Sequence, residues 1–336
     1  MKETLYIMTG NFSLAKHGDA IEFTAPDAEH EGQKCTRIIP TAMLDSIELY
    51  GNAQVTTPVL QFCNEIGIPC YFNTYNGIPV GVFIPESSHS SIVKLKQYAT
   101  FIDPNKKLHV AKAIVMKASN ERRRIIEKYD KKEMVTEIKN EIKKLMENIS
   151  SVQDVETLRG IEGNIMKSFF GGFSKLLFHL PFDGRSKQPP LDEGNAILGW
   201  GNVILYNTVR NEIFKVALDP QVGFLHEPHE NRASLAIDIA EIFRPIIVDN
   251  LILRLDHKRT LLPVHFDKDE IKCYLNQQGK RIWIREYFDF LHGTIDYPPL
   301  QRKISVKEEI RLEGYNLIKY ITGEKDEYIP IDFKNT

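Results

Sequence analysis

Three acids and a histidine stand out in this chain because each is set into an apolar pattern that would otherwise exclude it. Residues 223–245 read G-F-L-H-E-P-H-E-N-R-A-S-L-A-I-D-I-A-E-I-F-R-P. Leu235, Ile239, Ile242, Phe243 and Ile246 recur at the spacing of one helical face, and Ala236, Ile237 and Ala240 fill most of the remainder. A helix apolar nearly all round is a buried helix. Asp238 and Glu241 lie in it three residues apart, on one face. Ionised carboxylates are rarely buried without a cation, and Arg232, Arg244 or a divalent metal can supply it. His226 and His229 precede the helix in a loop broken by Pro228, from which an imidazole can reach the same acids. Carboxylate and imidazole donors together suit a hard or borderline divalent cation. An Arg-paired structural network accounts for the same residues, so both readings stand at this point.

Another acid-bearing helix is expected around Asp154–Leu180. Leu158, Ile165 and Phe169 mark its buried face, Glu162 sits in the middle of that face, and Gly160 and Gly163 flank the acid. Glycines there thin the helix so that a ligand or another backbone can approach. Inward carboxylates from two helices, with one histidine, are a way to build a divalent-metal site between helices.

The elements that must position these groups follow from the patterning. Residues 1–86 are β-rich: Thr4–Met8, Ala20–Thr24, Arg37–Pro40, Ser46–Tyr50, Pro69–Asn73 and Val80–Phe83 are short β-favouring runs, Asn76-Gly77 is a hairpin signal, and Thr57–Ile66 is a single helix. The polar stretch Pro85–Ser91 marks a domain boundary, and residues 87–336 turn to helical periodicity. The predicted fold class is therefore α+β, with a β-rich scaffold domain followed by a larger all-α domain. A helix through Val110, Ile114, Val115, Ala118, Ile125 and Ile126 carries Lys117, Arg122, Arg123 and Arg124, the best local basic patch and a candidate phosphate-binding face. Arg185 and Lys187 lie in a loop made rigid by Pro189-Pro190, and Asp192 is placed to cap the apolar helix Ile197–Phe214.

Composition limits the function classes. The chain has 336 residues, 42% hydrophobic and 26% charged, with a formal net charge of −2, so nucleic-acid binding must rely on local patches. Its four cysteines form no C-x-x-C pair and read as reduced, as in the cytoplasm. No signal-peptide plan opens the chain, and no apolar run is long enough for a membrane span.

Taken in order, the motifs are recognisable. G-I-E-G (Gly160–Gly163), R-S-x-x-P-P-x-D-x-x-N-A (Arg185–Ala196), L-D-P-x-x-G-F-L-H (Leu218–His226) and D-x-x-E-x-F-R-P (Asp238–Pro245) resemble the CRISPR adaptation integrase, the Cas-one family. I-P-x-x-x-L-D-S-I-E-L-Y-G-N (Ile39–Asn52) and G-I-P-C-Y-F (Gly67–Phe72) are similar to its β-rich domain. The resemblance implies a homodimer joined through the β-rich domains and a helical catalytic domain. It also implies a Mg²⁺ or Mn²⁺ held by Glu162, His226 and Glu241, with Asp238 as a fourth, less consistent ligand. Two departures are Glu241 where many members have Asp, and Leu198-Gly199-Trp200-Gly201-Asn202 in place of the commoner L-S-F-G-Y. The implied activity is that of a DNA endonuclease and transesterase inserting a short prespacer duplex into a repeat array, with a small Cas-two partner. The phosphate contacts expected are Lys117, Arg122, Arg123, Arg124, Arg185, Arg244, Lys258 and Arg259. A stand-alone nuclease acting on branched DNA in repair, and a non-catalytic helical scaffold, are the alternatives.

Overall fold

The computed structural model describes residues 3–27, 33–75, 77–86, 90–186, 189–230 and 232–332. It divides into two compact units, Met1–Ser91 with Phe214–Ala217, and Ile92–Ile213 with Leu218–Thr336.

The first unit is a six-stranded mixed sheet, formed by β1 (Glu3–His17), β2 (Ala20–Pro26), β3 (Lys34–Pro40), β4 (Leu44–Val55), β5 (Cys70–Asn73) and β6 (Pro79–Phe83) in the order β3-β2-β1-β4-β5-β6. β1 runs antiparallel to β2 but parallel to β4, and β4 is parallel to β5. Parallel neighbours need a crossover, which α1 (Thr57–Ile66) provides; Pro58 opens it and Gly67, at φ 71°, closes it. The alternating apolar residues of the strands, Ile7, Leu14, Ile21, Ile47 and Leu49, bury against Val59 and Cys63 of α1. The β1–β4 register slips between Met8 and Asn11. Gly51 sits opposite at φ 122°, where an added Cβ would fall 2.0 Å from the Thr9 carbonyl oxygen, so only glycine fits. The expected strands are all found, several of them longer than their β-favouring cores. Asn76 and residues 87–89 of the polar stretch lie outside the described residues.

The second unit is mostly helical: α2 (Ser91–Ile102), α3 (Pro104–Tyr129), α4 (Thr136–Glu147), α5 (Val155–Leu176), α6 (Glu193–Lys215), α7 (Ser234–Arg244), α8 (Asn250–His257), α9 (Gln277–His292) and α10 (Val306–Ile321). It is not all-α. β7 (Phe266–Lys268) pairs with β8 (Cys273–Leu275), and β9 (Thr294–Tyr297) with β10 (Arg302–Ser305). Ribbons of three or four residues are too short to show a period of two in sequence. Helix starts follow the capping chemistry: Asp103 accepts from the N–H of Asn105 and Lys106 at 3.0 and 3.1 Å, and Asp192 from that of Asn195 at 2.7 Å. α3 packs against both α5 and α7, bringing the acid-bearing helices to one buried centre. Pro245, which has no N–H to give, opens a π-helical turn (Pro245–Asp249) that joins α7 to α8. No helix of the described residues is long and apolar enough to cross a membrane.

Candidate functional site

The loop before α7 is folded onto a single carboxylate. Asp238 is wholly buried, and its Oδ2 accepts the N–H groups of Phe224 and Leu225 at 2.5 and 2.9 Å. Its Oδ1 accepts the N–H of His226 at 3.0 Å and faces His226 Nδ1 at 2.7 Å. Gly223 makes this approach possible, because a Cβ there would lie 2.7 Å from Asp238 Oδ2 and 2.7 Å from the Ser234 backbone. With a carboxylate as acceptor, the imidazole carries its proton on Nδ1 and turns Nε2 outward, the arrangement that fits a histidine to hold a metal or exchange a proton. Burial would lower the His226 pKa, but the hydrogen bond and charge of Asp238, with Glu241 behind, hold it above its usual value. Asp238, with its oxygens committed to three amides and an imidazole, orients the histidine in this structure.

Glu241, one turn along α7, is held differently. Its Oε2 meets Arg122 of α3 in a close ion pair, and its Oε1 accepts from Arg244 Nη1 at 2.9 Å. Burial pushes the carboxyl up, yet Arg244, Arg122 and His226 together bring it down to about 2. Glu162 on α5 is half-buried, and its pKa is raised by burial and by the charge of Glu241, against Arg122, Arg244 and His226. Those mutual effects place both glutamates, both arginines and the histidine in one electrostatic site. Added Cβ atoms at Gly160 and Gly163 would meet nothing within 4 Å. Among the described residues no second backbone lies against either glycine, and the space beside each is open.

Among the described residues no three His, Cys, Asp or Glu side chains stand close enough to hold an ion as placed. The donor chemistry nevertheless fits a divalent cation. Asp238 takes His226 Nδ1 and leaves Nε2 for a cation, the arginines hold Glu241 ionised, and Glu162 adds a second carboxylate to the same electrostatic site.

The basic residues singled out in the sequence separate into groups. Arg122 is wholly buried and Arg244 nearly so, both facing Glu241, which removes them from any surface patch. Lys117 pairs with Glu121 and Asp332, both at 2.8 Å, and Arg124 with the same two acids at 2.7 and 2.9 Å. Arg123 reaches Glu127 at 3.3 Å. Arg185 donates to Ser186 O at 2.6 Å and Asn195 Oδ1 at 2.8 Å, bracing its own loop; Lys187 lies outside the described residues. Lys258 and Arg259 are exposed. His229 is exposed with Nδ1 3.0 Å from Glu230 O, away from Asp238.

Two residues of the site escape a sequence reading. Arg122, rather than Arg232, is the second cation at Glu241; its i+4 position between Ala118 and Ile126 on the apolar face of α3 is the signal that it points inward. Asp249 is wholly buried in the π-helical turn, and neither carboxyl oxygen has a hydrogen-bond partner. Burial pushes its pKa up to about 6 against the pull of Arg244 and Arg122. Its signal is an acid inside the apolar run Ile246–Leu253.

Fold and site together define a two-unit α+β protein with a carboxylate–histidine centre in its helical unit. Residues 5–289 match the family described as CRISPR associated protein Cas1, and the chain belongs to that family. It is 34% identical over 298 residues to the CRISPR-associated endonuclease Cas1 2 of Moorella thermoacetica, covering 88% of this chain and 90% of the relative. The solved Cas1 structure from Thermotoga maritima superposes with a TM-score of 0.80 at 26% identity, covering 99% of this chain and 100% of that one. A casposase bound to integration product shares the fold, with a TM-score of 0.79 at 20% identity over 100% of this chain and 96% of that one.

Proposed function

We propose that this protein is a CRISPR adaptation integrase, a divalent-metal-dependent DNA endonuclease and transesterase that inserts short prespacer duplexes at a repeat array. The observation that carries the reading is the His226–Asp238 pair set beside Glu241 and Glu162. A Mg²⁺ or Mn²⁺ held by Glu162, His226 Nε2 and Glu241 would supply Lewis-acid polarisation of the phosphodiester. Around it, Asp238 fixes the imidazole, while Arg122 and Arg244 set a positive field where charge builds on a pentacoordinate phosphate. In the reaction a 3′-hydroxyl gives up its proton as its oxygen bonds to phosphorus, the bond to the 3′-oxygen of the target strand breaks, and that oxygen takes up a proton in turn. Water in place of the hydroxyl gives hydrolysis at the same site. The partners are the prespacer duplex and repeat array, a second copy of the chain joined through the β-rich unit, and the small Cas-two protein, all in the cytoplasm without membrane contact.

The test combines a 3′-hydroxyl duplex, a supercoiled plasmid bearing the repeat array and Mg²⁺ or Mn²⁺, with and without the Cas-two partner. Glu162→Gln and His226→Ala are the informative variants. Glu241→Ala is less so, because it strips two buried guanidiniums of their counter-charge and threatens the fold. Joined products from the wild type that both variants lose support the integrase. Cleavage without joining points to a repair nuclease. Because two arginines satisfy Glu241 without a metal, the rival reading is a non-catalytic scaffold, and it predicts no metal-dependent product at all.

A further inference from the structure

A second loop is built on the same plan as the one bearing His226. Asp256 of α8 is wholly buried, and its Oδ2 accepts the N–H of Phe178 at 2.7 Å. Its Oδ1 accepts those of His179 and Leu180 at 2.9 and 2.8 Å. One buried aspartate again gathers three successive amides and immobilises a loop that carries a Phe and a His.

What that loop displays is an aromatic ring. Phe178 stacks on His257 with ring centres 4.4 Å apart and planes 28° from parallel. His257 is fixed in turn by Leu176 O, 2.8 Å from its Nε2, and by Tyr129, edge-on at 5.2 Å. Backed in this way, Phe178 remains 56% exposed. A rigid ring with one face covered and the other toward solvent is costly in water and does nothing for the core.

The surroundings are cationic. Phe178 and His257 line a groove of about 560 Å³ together with Lys128, Lys131 and Lys132. Directly after His257 in the chain, Lys258 and Arg259 are exposed, and Arg259 Nε lies 3.3 Å from His179 Nε2 in the same loop as Phe178. The nearby acids are largely consumed: Asp256 by the loop, and Asp130 by the N–H groups of Met134 and Val135 at 2.7 and 3.3 Å. Glu133 remains exposed against five cations. The groove is also distinct from the carboxylate–histidine centre, since the helix from Glu162 to Leu176 extends about 21 Å at 1.5 Å per residue.

We propose that this groove binds single-stranded DNA, one unpaired base stacking on the open face of Phe178 while Lys131, Lys132 and Arg259 meet the flanking phosphates. An aromatic step beside a basic track is the means by which a single strand is held without regard to sequence. The bases of a duplex have their faces covered by neighbours and cannot use the ring. The proposal rests on the protein acting on DNA, but not on its catalysis, so binding is measured in EDTA.

The probe is a fluorescently labelled oligothymidylate titrated with the full-length protein and followed by anisotropy, with a fully paired duplex as control. Phe178→Ala is expected to weaken single-strand binding roughly ten- to a hundredfold. Phe178→Trp retains the affinity, and Phe178→Leu, apolar but without a π face, behaves like the alanine variant. The duplex is unaffected, and Lys131→Ala with Lys132→Ala flattens the salt dependence for the single strand. Phe178 is exposed, so an unchanged unfolding midpoint certifies each variant. Wild-type affinity in Phe178→Ala or Phe178→Leu overturns the proposal, as does an equal loss on the duplex. If that happens while His226→Ala still abolishes joining, the integrase reading stands alone. A wild-type protein that binds neither DNA sinks both.

Discussion

Asp238 and Glu241 lie one helical turn apart on α7, and their surroundings give them different work. Asp238 holds three amides and an imidazole, so its loss leaves a loop without its anchor and buried donors unsatisfied. Asp238→Ala is expected to lower unfolding free energy by about 3–5 kcal/mol, read from urea denaturation. His226→Ala removes only a partly exposed ring and should leave the urea midpoint near wild type while abolishing DNA joining. Equal destabilisation by the two would show that the histidine is structural. Asp249 allows a prediction in pH. Its folded pKa of about 6 lies above the ordinary 3.8, so the folded state binds the proton more tightly than the unfolded chain. Stability therefore falls as pH rises from about 4 to about 6 and is level above, a loss of about 3 kcal/mol. Asp249→Asn, which cannot ionise, should be more stable than wild type by that amount at pH 8, with the advantage vanishing near pH 4. A difference that stays constant across this range would mean that Asp249 ionises normally in the fold.

At the scale of elements, the tail after α10 is secured by side chains rather than by backbone pairing. Tyr328 is buried at 2% exposure, its hydroxyl donates to Glu313 Oε1 at 2.7 Å, and the Ile331 N–H reaches Glu313 Oε2 at 2.7 Å. Tyr328→Ala should cost about 3–5 kcal/mol in urea unfolding, and Tyr328→Phe, which loses only the hydroxyl's bond to Glu313, about 1 kcal/mol. An alanine variant as stable as wild type would show that the tail contributes no anchorage. Such long-range pairings explain which parts of the molecule were legible in the sequence. β-favouring runs revealed the first sheet, and the apolar periods of α5 and α7 exposed Glu162, Asp238 and Glu241 because a charge interrupts a local pattern. Arg122 meets Glu241 across 119 positions and Lys117 meets Asp332 across 215, and no local pattern records either. The π-helical turn was hidden as well, since the extra residue it inserts changes which face Asp249 occupies without altering the apolar composition around it.

For the whole molecule, 43 Lys and Arg stand against 45 Asp and Glu, so on average the surface does not attract a polyanion. DNA affinity then depends on which cations the fold leaves to the solvent. Lys117 and Arg124 share Glu121 and Asp332, and Lys117 and then Arg124 hold Asp332 down at about 2, so the pairing persists at every pH where DNA is handled. Arg185 is committed to its own loop. Lys258 and Arg259, exposed at the end of α8, pair with no acid among the described residues and are the better candidates for phosphates. Each phosphate neutralised contributes about 0.9 to the slope of log affinity against log salt for duplex DNA, and about 0.7 for a single strand. Lys258→Ala and Arg259→Ala are each expected to flatten the slope by about that amount on the DNA they contact. Lys117→Ala and Arg185→Ala should leave it unchanged, measured by anisotropy over a salt series. If Lys117→Ala flattens the slope as much as Arg259→Ala, then phosphate displaces Asp332 from Lys117 on binding. The C-terminal tail would in that case be a competitor for DNA rather than a fixed part of the fold, and Asp332→Asn would raise DNA affinity.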